Sequence, residues 1–273
     1  MRTNPIFLVA FLVLALPLVA QTPMPNDVFI PAGGAPHLMI PAAGNVPGAN
    51  GTFFRTDISL INLAGTDVRV AAYWLPQNRS GPGAPKIIRI DDRAGFTSGD
   101  FVGEVLGESG LGSIELLALD AGGSPDPTAL LHATVRIWTP EPNVPNGTMS
   151  QSFPAIIMNT GSFSSVKNVF GVRRDAQYRL NVGIVNPHNS HQRFRVTANP
   201  SSGITGRETF DLDLPARSMA QVVVPGDAAG TYQITFVNLT DAGANTSIFQ
   251  AWASSVDNIT GDAWSQVAFK TSQ

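Results

Sequence analysis

Between its turns this chain alternates apolar and polar residues with a period of two, the pattern of strands that bury one face. In the stretch Phe54–Asn62, the residues Phe54, Thr56, Ile58 and Leu60 fall on one face and Arg55, Asp57 and Ser59 on the other. Val68, Val70, Ala72 and Trp74 share a face in the next stretch, again a half-buried strand. Further strands are predicted over Leu38–Ala42, which Pro41 ends, and over Ile87–Ile90, Gly112–Leu119 and Ala129–Thr139. Clusters of Gly, Pro, Ser and Asp punctuate them: Gly44–Gly51, Gly65–Asp67, Ser80–Pro85 and Ala121–Pro127. Only Gly99–Leu106 carries helical periodicity, enough for one or two turns.

The order then recurs. Phe54-Arg-Thr-Asp-Ile-Ser-Leu-Ile-Asn62 and Tyr178-Arg-Leu-Asn-Val-Gly-Ile-Val-Asn186 align at a constant offset of 124 residues, Arg55 onto Arg179. Phe194-Arg-Val196 answers Val68-Arg-Val70 after a loop two residues longer. Gly230–Ile234 answers Gly112–Leu116, and Ile248–Val256 answers Ala129–Thr139. Each copy closes on a Gly followed by a Ser-Gln strand, Gly147–Phe153 and Gly261–Phe269. About seven short strands per copy, without helices between them, predict an all-β chain. The predicted architecture is two tandem immunoglobulin-like antiparallel β-sandwiches arising from an internal duplication, with a small β-barrel as the other topology. The sandwiches are placed at residues 37–153 and 154–273, and Phe153–Met158 joins them without a flexible linker, so they should be closely coupled.

The beginning of the chain reads differently. Arg2, an apolar run from Ile6 to Leu16 and a stop near Ala20 mark residues 1–20 as a secretory signal peptide. Leu18 stands where a small residue is usual and spreads the cut site over a few positions. Residues 21–36, rich in Pro and Gly, read as an exposed leader. No later segment supplies roughly 18 uninterrupted apolar residues, so no membrane insertion is expected after cleavage and the protein should be periplasmic or extracellular. The chain has no cysteine, which excludes disulfides and thiolate metal sites. Charged residues make up 14% of the chain, against about 25% in ordinary domains. A net charge of −3 offers no basic footprint for nucleic acid or anionic lipid.

Few side chains suggest chemistry. His188-x-x-His191 falls in a turn and lacks further zinc ligands. Asp91, Asp92 and Asp100 do not match calcium-loop spacing, and Asp211 and Asp213 read as the wet face of a strand. Gly107-Glu-Ser-Gly110 only approximates a nucleophile elbow. No catalytic residue, metal or cofactor is therefore assigned. Trp138 is out of phase with Val135 and Ile137, and Trp264 with Val267 and Phe269, so both are expected to point outward. Outward indoles stack on sugars or cover a neighbouring surface. The recurring pairs Arg55 with Asp57 and Arg179 with Asn181 lie opposite the apolar set, as a recognition site or, the favoured reading, a polar ladder across strands. Six Asn-x-Ser/Thr triplets, at Asn50, Asn78, Asn146, Asn238, Asn245 and Asn258, read as turn chemistry.

The segments Leu38–Ala43, Gly51–Asp57 and Gly171–Val182 resemble those of uncharacterised exported bacterial proteins built from paired immunoglobulin-like β-sandwich repeats. The resemblance implies an exported tandem sandwich and brings no catalytic or ligand residue. The expectation is an exported, non-enzymatic adhesion, scaffold or extracellular interaction module, its partner a protein or glycan at the cell surface. A carbohydrate-binding module is the alternative and a hydrolase comes third. Trp138 and Trp264 on one continuous face would favour glycan. Intact-mass measurement of the protein from a secreting host should show a chain shortened near Ala20; a full-length N-terminus in the soluble fraction would overturn the leader assignment.

Overall fold

Strand follows strand along nearly the whole computed structural model, which describes residues 34–48, 51–81, 83–141, 144–158, 164–201, 206–240 and 247–270. The expected signal peptide and nearly all of the leader lie outside the described residues. The N-terminal half contains β1 (His37–Pro47), β2 (Phe53–Asn62), β3 (Val68–Pro76), β4 (Lys86–Ile90), β5 (Gly95–Ser98), β6 (Gly110–Leu119), β7 (Leu131–Pro140) and β8 (Thr148–Pro154). After the two-residue β9 (Ile156–Ile157) come β10 (Val166–Arg174), β11 (Tyr178–Asn186), β12 (Gln192–Pro200) and β13 (Glu208–Leu214). The C-terminal half ends with β14 (Ser218–Val223), β15 (Gly230–Asn238), β16 (Gln250–Asp257) and β17 (Ala263–Val267).

All the strand pairs are antiparallel. In the N-terminal half nine strands form one sheet, β4-β3-β6-β1-β2-β7-β8, with β5 added to β2 and β9 to β1. The sheet doubles back at the end of β1, which pairs with β6 along most of its length and with β2 only at Val46 and Pro47. The two limbs so formed face each other across one core, where Leu38, Ile58, Leu60, Trp74, Ile114 and Val135 meet. The C-terminal half has two separate four-stranded sheets, β10-β15-β12-β13 and β14-β11-β16-β17. Leu180, Val182, Phe194, Val196, Ile234 and Phe236 close the core between them.

Two local details depart from the sequence reading. Pro41 does not end the first strand. The β1–β6 register shifts between Ile40 and Ala43, and such a bulge tolerates a residue without an N–H. The hydroxyl of buried Ser113 donates to the Pro41 carbonyl at 2.8 Å. Residues 44–47, expected as turn, thus remain strand, and Thr56 fastens them to β2 by donating to Gly44 O at 2.9 Å and accepting from Gly44 N at 2.6 Å. The helical window is a π-turn, Phe101–Leu106, whose buried Phe101, Val102 and Leu106 cap the core. Asp100 accepts from Gly103 N at its start, and Gly107 ends it at φ +71, a left-handed conformation that favours glycine.

Each half is also closed by one buried asparagine at the end of its second strand. Asn62 Nδ2 donates to the carbonyls of Thr66, Ile90 and Asp91 at 2.7, 3.4 and 3.1 Å. Asn186 Nδ2 does the same to Ser190, Leu214 and Pro215 at 3.0, 3.3 and 2.7 Å. Their Oδ1 atoms accept from Ala64 N and His188 N, both at 3.0 Å. Each amide thus joins two chain reversals, which Asp92 N to Asp67 Oδ1 in one half and Arg217 N to His188 O in the other also connect. Asn62→Ala or Asn186→Ala leaves buried carbonyls unpaired and should lower stability by about 1–3 kcal/mol; a urea titration should show a lower midpoint with an unchanged slope.

Candidate functional site

The halves meet through unlike faces, and this decides which surfaces remain open. The N-terminal half offers the outer side of β1 and β3, with Met39 and Leu75; the C-terminal half offers the outer side of β11 and β14, with Val185 and Met219. Beside them Trp252 of β16 packs on Ala42, Ile137 and Phe153, its ring 5.2 Å from that of Phe153 in an edge-on arrangement. Gly183 makes room for this, since a Cβ there would run into the indole of Trp252. Along the seam Asn78 N donates to Met219 O at 2.9 Å and Gly81 N to Arg217 O at 3.0 Å. Arg217 lies over the ring of Tyr73 at 5.0 Å and bonds Glu115 at 2.5 Å.

The corresponding outer face of β2 and β7 in the N-terminal half carries none of this apolar cover. The ladder sets Arg55 beside Trp138, Asp57 beside Arg136 and Ser59 beside Thr134. Arg136 Nη2 bonds Asp57 Oδ2 at 3.0 Å. The guanidinium groups of Arg55 and Arg136 lie 5.9 and 5.7 Å from the Trp138 ring, and Arg55 lies 4.9 Å from Phe53. Such cation–π contacts each contribute about 0.5–1 kcal/mol at exposed sites. Trp138 is held in place because its Nε1 donates to Gly99 O at 3.0 Å. Arg55 is held by Asp100 at 3.6 Å, and Asp100 accepts from Asn45 Nδ2 at 2.6 Å. A shallow groove of about 570 Å³ runs beside this cluster past Asp57, His132, Arg136 and Ser152. The result is a preorganised surface of aromatic, cationic and hydroxyl groups, suited to binding a partner's carboxylates, carbonyls and apolar side chains.

The other sequence-derived residues lie elsewhere. Arg179 donates to Asn258 Oδ1 at 3.3 Å, whereas Asn181 is only 6% exposed, its Oδ1 without a partner among the described residues. Trp264 is 55% exposed. It lines a separate groove of about 660 Å³ with Arg173, Tyr178 and Asp257, sharing no residue with the groove along Trp138, Glu141 and Asn146. The structure therefore brings together Arg55, Asp57 and Trp138, and it keeps Trp264, Arg179 and Asn181 apart from them. Arg136 completes the cluster and was legible from its alternation with Trp138. Arg217 was signalled only by matching Arg93 at the offset of 124. Among the described residues, no group of three or more His, Asp or Glu is arranged to hold a metal, and no helix is long and apolar enough to cross a membrane.

Two buried ionisable groups belong to the seam. Burial alone would push the Glu115 carboxyl up, but its hydrogen bond to His37 at 2.6 Å and the charge of Arg217 together hold it below its ordinary value. Burial lowers the Lys167 amine to about 8, although its Nζ donates to Gln250 Oε1 at 2.9 Å and lies 5.3 Å from the Phe249 ring. Gln250 in turn donates to Met158 Sδ at 3.2 Å.

No protein family matches this chain, and neither does any curated protein. Among solved structures it is similar to the crystal structure of Thermotoga maritima 1070, at 9% identity and a TM-score of 0.32, over 42% of this chain and 97% of that one.

Lys167 gives a pH signature. Its folded-state value of about 8 lies below the ordinary 10.5, so between these limits the unfolded chain holds the extra proton and stability rises with pH. The penalty of burying the charge is fully present below pH 8, of order 3 kcal/mol. Lys167→Met should be the more stable protein at pH 7, with a difference that narrows as the pH is raised from about 8 to 10.5; thermal melts of both proteins across that range check it.

Proposed function

We propose that this protein is an exported, non-enzymatic interaction module of the adhesion or scaffold kind, whose recognition surface is the open β2–β7 face of its N-terminal half. The observation that carries the reading is the braced cluster of Arg55, Asp57, Arg136 and Trp138 on a sheet face whose counterpart in the C-terminal half is buried in the seam. Half-exposed Trp and Arg that are already held in place lose little freedom on binding, and they are the residue types that dominate protein interfaces. The periplasm or cell surface is the proposed location, on the signal-peptide pattern of Arg2 through Ala20.

The architecture proposed with it is an immunoglobulin-like duplication. Matching strand orders support it, since β4-β3-β6-β1 and β5-β2-β7-β8 correspond to β13-β12-β15-β10 and β14-β11-β16-β17. The paired roles of Asn62 and Asn186 support it too. In each half the second strand pairs with the fifth and the third with the sixth, as B–E and C–F do in immunoglobulin sandwiches, but the first and seventh strands have exchanged sheets relative to that order.

A carbohydrate reading attaches to the Trp264 groove, where Tyr178 adds a second ring beside Asp257. The separation of this groove from the Trp138 groove favours a protein partner. Binding of the mature protein to envelope fractions, with and without protease treatment, and to a glycan array tests the choice. The expected result is retention that protease abolishes, weakened by about 30-fold in Trp138→Ala or Arg136→Ala, the effect of losing an interface hot spot of about 2 kcal/mol. Protease-resistant retention, with array signals lost in Trp264→Ala, would replace the proposal by the glycan reading.

A further inference from the structure

We propose that the partner of the open N-terminal face is a second copy of this chain, docked head to tail by repeating the contact that joins the two halves. This rests on the interaction-module reading above and supplies its partner. The internal seam joins unlike faces, the outer side of β1 and β3 to the outer side of β11 and β14. A contact between unlike faces leaves one of each uncovered, here the outer side of β2 and β5 at one end and that of β10 and β12 at the other. Heterologous contacts of this kind build open chains unless their rotation closes a ring.

The uncovered faces keep three of the five buried apolar positions of the seam centre. Met39 stands opposite Glu115 in the β1–β6 ladder, and Phe170 stands opposite Gln233 in the β10–β15 ladder. Met158 N donates to His37 O at 3.0 Å, and Phe269 N donates to Asn168 O at 3.0 Å. The seam pair Met39 and Met158 therefore corresponds to Phe170 and Phe269, whose rings lie 5.6 Å apart and are 41% and 49% exposed. On the receiving side, Val185 corresponds to Ile61 at the offset of 124, and Ile61 is 38% exposed. Three of the exposed large apolar side chains of the molecule thus occupy the positions that meet one another inside the seam.

The polar partners correspond as well. Arg217 and Arg93 are both turn residues with positive φ, 54° and 52°, and the Arg93 side chain is 79% exposed. The counterpart of Glu115 is Gln233, so the repeated contact exchanges a buried ion pair for a hydrogen bond from a guanidinium to an uncharged amide. The positions of Leu75, Met219 and Trp252 are taken by Ser201, Gly95 and Thr134, so the contact lacks three of the seam anchors. It is therefore reversible and concentration-dependent, with weak dependence on salt.

Sedimentation velocity of the mature full chain over a wide concentration range tests this, with Ile61→Glu blocking one face and the double variant Phe170→Ser with Phe269→Ser blocking the other. All three are surface positions, and circular dichroism verifies the fold of each variant. The wild type should form species that grow with concentration, and each variant alone should remain monomeric. An equimolar mixture of the two variants should recover one good contact and stop at a dimer, which a symmetric contact between like faces cannot do. A wild type that stays monomeric throughout, a variant that still associates alone, or a mixture that forms no dimer overturns the proposal. If the wild type is monomeric while Trp138→Ala still weakens envelope binding, self-association falls and the interaction-module reading stands. Growth of the wild type with no effect of Trp138→Ala on envelope binding supports self-association and removes only the envelope role.

Discussion

Strand β16 is dry on both sides, and the rest of the molecule accommodates that constraint. From Gln250 to Val256 every residue is buried. Ala251 and Ala253 look into the C-terminal core, while Trp252 looks into the seam. In an antiparallel sheet one face usually meets water, so a strand like this needs cover that its own sandwich cannot give. Without the N-terminal half, the side chains of Val185, Met219 and Trp252 would form an apolar patch of the kind that soluble proteins rarely leave exposed. The N-terminal half is thus part of the packing of the C-terminal one, and the two share a single unit from Gly33 to Gln273.

The seam is apolar at its centre and ionic at its edge, and the two parts have different consequences. Met39, Leu75 and Trp252 supply attraction that is insensitive to direction. Glu115, held between His37 and Arg217, supplies register, because sliding one half along the other would strand a buried carboxylate at a cost of about 3–5 kcal/mol. Arg217 reaches its partner from a turn at positive φ, which places the guanidinium over Tyr73 instead of out in solvent.

Much of the fold was legible because alternation of period two directly reports which face of a strand is buried. Ile58, Leu60, Val70 and Trp74 lie in the core where that pattern puts them. What alternation cannot report is what covers the other face. Arg55 and Arg179 match at the offset of 124, yet next to them Asp57 is half-exposed and Asn181 is buried, on strands of which β11 enters the seam and β2 does not. Pro41 misled for a related reason. Its missing donor matters only if the ladder needs one at that point, and the bulge with its Ser113 hydrogen bond removes the need. Of the sequence-derived site residues, Arg55, Asp57 and Trp138 converge because they share a ladder. Trp264 belongs to a different edge, and no spacing rule relates the two.

The asparagine closures bear on how such a chain can vary in length. In both halves the amide reaches the carbonyl four residues ahead, Thr66 or Ser190, and one 28 residues ahead, Ile90 or Leu214, and the loop that follows has five residues each time, not two more in the C-terminal half. Past the closure the strands begin to pair at once, Val68 with Ile90 in one half and Gln192 with Leu214 in the other. The turn and the returning strand are thus fixed together by one side chain. The segment between them can therefore change its sequence widely, as it does between the two halves, while its length stays set by the amide that closes it.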